Sequence, residues 1–216
     1  MRKITLAAML TVSAALLAGC GKEPAPVEKP AASAPAPKPD TTNLTLPEAR
    51  ENYAIEKTAD GYAIKNTKTG VVTKGAADLK RVHFSDQSLA LDIESSGRIY
   101  RLYQATFNRT PDLAGLGFWL HSVERGAPLE EVATQFMQSK EFQDLYGKNP
   151  SDKEFMTKLY KNVLHRAPDK AGLDYWLKAL KDGTSRAQAI VNMSEGAENV
   201  AQVAPSIANG IPYAKQ

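Results

Sequence analysis

Residues 109–120 read RTPDLAGLGFWL, and residues 166–177 read RAPDKAGLDYWL, with eight of twelve positions identical at an offset of 57. A segment written twice at fixed spacing marks one supersecondary unit built twice, because a single unit buries too little apolar surface by itself. The flanking residues have a helical period. Ile99, Leu102, Tyr103 and Thr106 fall at i, i+3, i+4 and i+7, and Met156, Leu159, Tyr160 and Val163 repeat that spacing in the second copy. A second helix follows each Arg-x-Pro-Asp. A third carries Leu129, Val132, Ala133 and Phe136, matched by Arg186, Ala189, Ile190 and Met193. The expected fold is mainly α: two tandem three-helix repeats (about 96–147 and 151–204) form one helical domain over residues 95–210. A small β-hairpin element and a disordered linker precede it.

Most of the doubled stretch reads as stop-and-start signals. Pro111 and Pro168 restrict the residue before them and are expected to stop the first helix. Asp112 and Asp169 stand where a short carboxylate can cap the second helix. Gly126 and Gly183 suit its left-handed end. Ser151 and Glu154 have the spacing of a capping box that opens the second copy.

Along the second helix, Leu113, Leu116, Leu120 and Val123 form one apolar stripe, echoed by Leu173, Leu177 and Leu180. Phe118 and Tyr175 point to the other side, among small residues. One reading packs each ring against a further neighbour; the other leaves it free as a platform for a sugar or a partner. Aromatic residues at helical spacing are usually core, so burial is expected for both, and equally for Trp119 and Trp176. Arg109 and Arg166 could bind a phosphate or a sugar carboxylate. The expectation is that each instead satisfies helix-end carbonyls or pairs with the nearby Asp.

Upstream, residues 49–94 read as short strands. YAIEK and YAIKN flank a turn at Asp60-Gly61, and Lys68-Thr69-Gly70 makes another before VVTK. The closing run LKRVHFSDQSLALDI resembles an element of haemolysin-type (RTX) surface proteins. The calcium-binding glycine- and aspartate-rich repeats of those proteins are missing here, so no calcium is expected. The doubled R-x-P-D-x-x-G-L-x-[FY]-W with its trailing Ser139-x-Glu-Phe142 resembles the domain of unknown function numbered 4214. In the second copy Gly196 and Asn199 replace Ser139 and Phe142. That family implies a helical module of the bacterial cell surface, in some members contacting envelope polysaccharide. It brings no catalytic residues.

The N-terminus supplies a location. Arg2 and Lys3 precede an apolar run to Ala18, and the segment ends Leu17-Ala18-Gly19-Cys20, which resembles a lipoprotein lipobox. The resemblance implies a signal peptide over residues 1–19 and an acylated Cys20 at the membrane. With Gly21 rather than Asp next, it points to the outer membrane of a Gram-negative cell. Durable anchoring follows from several acyl chains, each buried CH₂ contributing roughly 0.8 kcal/mol. Cys20 is the only cysteine, which excludes a disulfide within the chain. Residues 20–48 form a Pro/Ala-rich linker, and twenty such residues in an extended helix would reach about 60 Å.

Formal charge is +3, and loss of residues 1–19 removes Arg2 and Lys3 and no acid, leaving +1. That is too little to argue for nucleic acid. His83, His121 and His165 have no metal-ligand spacing and do not recur between copies. No nucleophile elbow, zinc-helix motif, phosphate loop or dinucleotide fingerprint occurs, so neither catalysis nor a cofactor is expected. The expected role is a lipid-anchored envelope binding or tethering module for surface glycan or another envelope protein. The alternatives are an accessory for surface export or display and a cell-wall or polysaccharide hydrolase. An exposed Phe118 or Tyr175 would favour binding. A cleft setting His121 or His165 beside a carboxylate would favour the enzyme.

Overall fold

The computed structural model of the protein describes residues 40–215. The signal segment, Cys20 and the Pro/Ala-rich stretch up to residue 39 lie outside the described residues. Eight helices and seven short strands follow.

Residues 40–48 are not all linker. β1 (Asn43–Thr45) runs parallel to β5 (Arg81–His83), pairing Leu44 with Val82. β2 (Tyr53–Thr58), β3 (Gly61–Asn66) and β4 (Val72–Gly75) form a separate antiparallel sheet. The hairpin turn falls on Ala59-Asp60, one residue earlier than the Asp60-Gly61 pair suggested, because Gly61 already pairs with Thr58. Gly61 has φ +137, and a side chain there would strike the backbone of Gly75 and Ala76. Leu46, Tyr53, Ile64, Leu79, Val82, Phe84 and Leu89 make a small apolar core between these pieces.

β6 (Ser88–Ala90) pairs with β5 and, on its other edge, with β7 (Ile211–Tyr213). The chain therefore returns to the first sheet after its last helix, giving the order β1-β5-β6-β7. The β element is two sheets, one of them completed from the C-terminal side, rather than a hairpin that only precedes the helices.

The first copy comprises α1 (Ile93–Phe107), α2 (Leu113–Glu124), α3 (Leu129–Gln138) and α4 (Lys140–Tyr146). The second comprises α5 (Asp152–Leu164), α6 (Lys170–Lys181), α7 (Arg186–Ser194) and α8 (Ala197–Ile207). Each copy has four helices, not three. The apolar period does not mark the fourth, because only Ser139 in the first copy, and Glu195 and Gly196 in the second, separate it from the third. Ser139 ends α3 in an extended conformation and its hydroxyl caps α4 by accepting from the Phe142 amide at 3.1 Å.

Equivalent helices pack on each other across the copies, α1 on α5 and α3 on α7. One continuous core results, in which Ile99, Leu102, Val132, Ala133, Phe155, Met156, Leu159, Ala189 and Ile190 are fully inaccessible. A second copy thus supplies the apolar neighbours that one copy lacks. α1 ends at Asn108 and α5 at His165, both left-handed with φ 51 and 52. Asparagine and histidine tolerate that conformation better than most residues. These two residues stop the helices; Pro111 and Pro168 lie three residues further on and only keep the following segment extended.

Candidate functional site

The doubled joint shows why its residues recur. Asp112 Oδ1 accepts the Gly115 amide at 2.7 Å, and Asp169 Oδ1 accepts that of Gly172 at 2.8 Å. Ser151 and Glu154 form a reciprocal capping box on α5. A Cβ on Gly115 would run into the Tyr103 hydroxyl, and one on Gly172 would lie 2.5 Å from the Tyr160 hydroxyl. The motif glycine is therefore the space into which a tyrosine of the preceding helix fits.

Arg109 makes a two-pronged pair with Glu141, Nε to Oε1 at 2.6 Å and Nη2 to Oε2 at 2.9 Å, and donates to the Thr110 carbonyl. Arg166 repeats it with Glu198 at 3.0 Å for both bonds. Asp112 and Asp169, the expected partners, stand at 3.8 and 3.7 Å. The guanidinium planes also lie over Tyr103 and Tyr160. Bonding to Glu141 and Glu198 holds both guanidinium groups even more firmly charged than usual. The Nε and Nη2 edge of each fork is committed to the fourth helix of its unit. The glutamates recur at the same offset with the same separation from their arginines, which is the sequence signal that points to the pair.

Phe118 and Tyr175 are not core. Phe118 is 52% exposed and Tyr175 66%. Among the described residues no further helix lies on that side: α2 packs on α1 and on β7, and α6 on α5 and α7. Trp119 and Trp176 lie half-buried against the core. Each carries its neighbour edge-on, Phe118 on Trp119 at 4.8 Å and Tyr175 on Trp176 at 5.3 Å between ring centres. Beside Phe118 an open groove of about 450 Å³ runs to Ser122, Arg125, Glu131 and Gln135. The corresponding residues beside Tyr175 are Ala179, Asp182, Gln188 and Asn192.

The histidines separate. His165 is the left-handed helix end. His83 on β5 bonds Ser88 Oγ at 2.8 Å through Nδ1. His121 and His83 line one cleft together with Glu124. Among the described residues no three imidazole or carboxylate groups are placed to hold a metal ion, and no helix is long and apolar enough to cross a membrane.

A doubled helical unit, with one aromatic ring presented at the same place in each copy, defines a tandem helical-repeat protein. Residues 83–145 and again 133–203 match the family described as a domain of unknown function (DUF4214), and the chain belongs to that family. The first match begins at His83, the last residue of β5, so the Phe-Ser-Asp turn and β6 fall within it. No curated protein matches the chain.

Proposed function

We propose that this protein is a non-catalytic binding module of the cell envelope that grips surface glycan through the aromatic faces of α2 and α6. The exposure of Phe118 and Tyr175 at equivalent positions carries the reading. An exposed ring flanked by planar polar side chains offers an apolar face for the C–H groups of a pyranose and hydrogen-bonding groups for its hydroxyls. Two such faces on one rigid body raise avidity for a repeating polymer, since the second contact forms at high effective concentration. Each face belongs to one copy of a four-helix unit, so the unit is the element that is duplicated for binding. Acylated Cys20 would hold the module at the outer membrane, with the Pro/Ala-rich stretch as its spacer.

Co-sedimentation of the soluble chain, started after Cys20, with lipopolysaccharide, peptidoglycan and whole outer membranes tests this. Retention by one polymer, weakened at least tenfold by Phe118→Ala with Tyr175→Ala (about 1.4 kcal/mol), is the expected result. Retention that survives both changes would move the site elsewhere. No retention by any fraction would turn the search to a protein partner.

A further inference from the structure

A cleft between the first sheet and α2 is unlike anything in the second copy. It consists of two cavities that meet at Leu120 and Glu124. One, of about 210 Å³, is lined by His83, His121, Tyr213 and Lys215; the other, of about 300 Å³, by Lys80, Arg81, Asp92, Ile99 and Val123. Arg81, in the wall of the larger one, has a side chain only 12% exposed and bonds Asp92 and Glu124 at once. Arg81 balances only one of these two carboxylates, so Lys80 and Lys215 together tip the lining to a small positive excess.

The field is felt inside it. Burial, followed by the nearby charges of Lys215 and Arg81, depresses the His83 pKa below its ordinary value. Repeat architecture does not require the cleft, because α6 carries Asp174, Lys178 and Lys181 where α2 has Gly117, His121 and Glu124, and no strand covers it there. Leu120, Val123 and Ile99 give an apolar floor and His121 and Tyr213 add polar groups, while the His83 ring already meets Ser88 Oγ through Nδ1 and Asn43 Oδ1 at 3.4 Å through Nε2.

We propose that this cleft binds a sugar-sized acidic ligand, its carboxylate or phosphate set between Lys215 and His121, close to His83, and its ring on the Leu120 floor. The cavities have the volume of a small-ligand site with few, convergent polar groups. His121 does share its cleft with the Glu124 carboxylate, the arrangement that would favour a hydrolase, but Glu124 is paired with Arg81 and binding is the reading we take. Sugar hydrolysis needs one carboxyl group held protonated as the acid. Here Asp92 is held below its ordinary pKa despite its burial, by bonds from Ser95, Ser96 and Arg81. The cleft is separate from the exposed rings of α2 and α6 and does not depend on them.

The test is an NMR titration of the His ring protons of the full chain, at constant ionic strength, with glucuronate, glucose 6-phosphate, inorganic phosphate or neutral glucose. A bound anion offsets Lys215, so it raises the titration midpoint of His83 and moves the ring-proton resonances of His121. His165, on the end of α5, stays unchanged and reports non-specific screening. His121→Ala combined with Lys215→Ala, both at exposed positions, weakens the response about tenfold (1.4 kcal/mol), whereas Phe118→Ala leaves it intact. Response to glucuronate alone assigns a sugar acid. Response to glucose 6-phosphate alone assigns a sugar phosphate, and response to inorganic phosphate as well places recognition in the phosphate group. The proposal fails if glucose acts as strongly as the acids, if His165 moves with His83, if the double variant responds unchanged, or if no probe moves His83.

Discussion

The Tyr103 hydroxyl occupies the space that a side chain on Gly115 would need, and Tyr160 stands in the same relation to Gly172. Both glycines lie inside helices, where alanine normally stabilises by about 1 kcal/mol. Here the sign reverses. Gly115→Ala forces the buried Tyr103 ring and α2 apart and should cost about 1–3 kcal/mol, the range for overpacking. Gly172→Ala should cost less, since Tyr160 lies under a less enclosed α6. Urea unfolding of the two variants checks this, and a gain in stability for Gly115→Ala would refute the fit described.

The same contact sets an alkaline response. Burial, reinforced by the charge of Asp112, pushes the Tyr103 phenol up to about 12 from its ordinary 10. The folded state thus favours the protonated phenol. Its contribution to stability is complete below pH 10 and is lost as pH rises from 10 towards 12. Ultraviolet phenolate titration should show late-ionising tyrosines. In Gly115→Ala one of them should titrate nearer 10.

The two arginines should differ in degree. Arg109→Gln removes a forked pair to Glu141 and stacking on Tyr103 and Phe107, and should cost about 1 kcal/mol, the upper end for a partly exposed pair. Arg109→Lys should recover only part, because an ammonium cannot span both carboxylate oxygens. Arg166→Gln, at the more exposed joint, should have the smaller effect. Thermal melts at low and high salt separate the charge component, which salt screens, from the stacking.

Removing the exposed rings should barely touch the fold. Phe118→Ala and Tyr175→Ala each leave the core intact and should change stability by no more than about 0.5 kcal/mol. Near-native unfolding curves together with lost polymer retention would tie the rings to binding. A loss of several kcal/mol would instead show them to be packing residues.

Much of the architecture could be read from the residues. The helical period of Ile99 to Thr106 and its echo at Met156 to Val163, the caps at Asp112, Asp169 and Ser151, and the glycine ends at Gly126 and Gly183 all depend on neighbours within a turn or two. The fourth helix of each unit is not legible in that way, because one extended residue, Ser139, both ends α3 and caps α4, and only Glu195 and Gly196 part α7 from α8. The helix stops were misplaced on Pro111 and Pro168, since Asn108 and His165 reach the left-handed conformation without being glycine.

The rings show where local reasoning ends. Phe118 and Tyr175 have the spacing and size of core residues, and whether they are buried depends only on whether another element arrives on that side of the helix. Among the described residues none does. Arg109 likewise meets Glu141 only because α4 folds back across the joint, and the histidine-lined cleft exists only because β7 returns to β6 and closes against α2. The sequence by itself determined the repeated unit, its helices and their caps, because hydrogen bonds within a turn and a 3.6-residue apolar period are properties of short segments. The tertiary structure alone decided which faces stay open and which charges meet, because those depend on contacts between segments far apart in the chain.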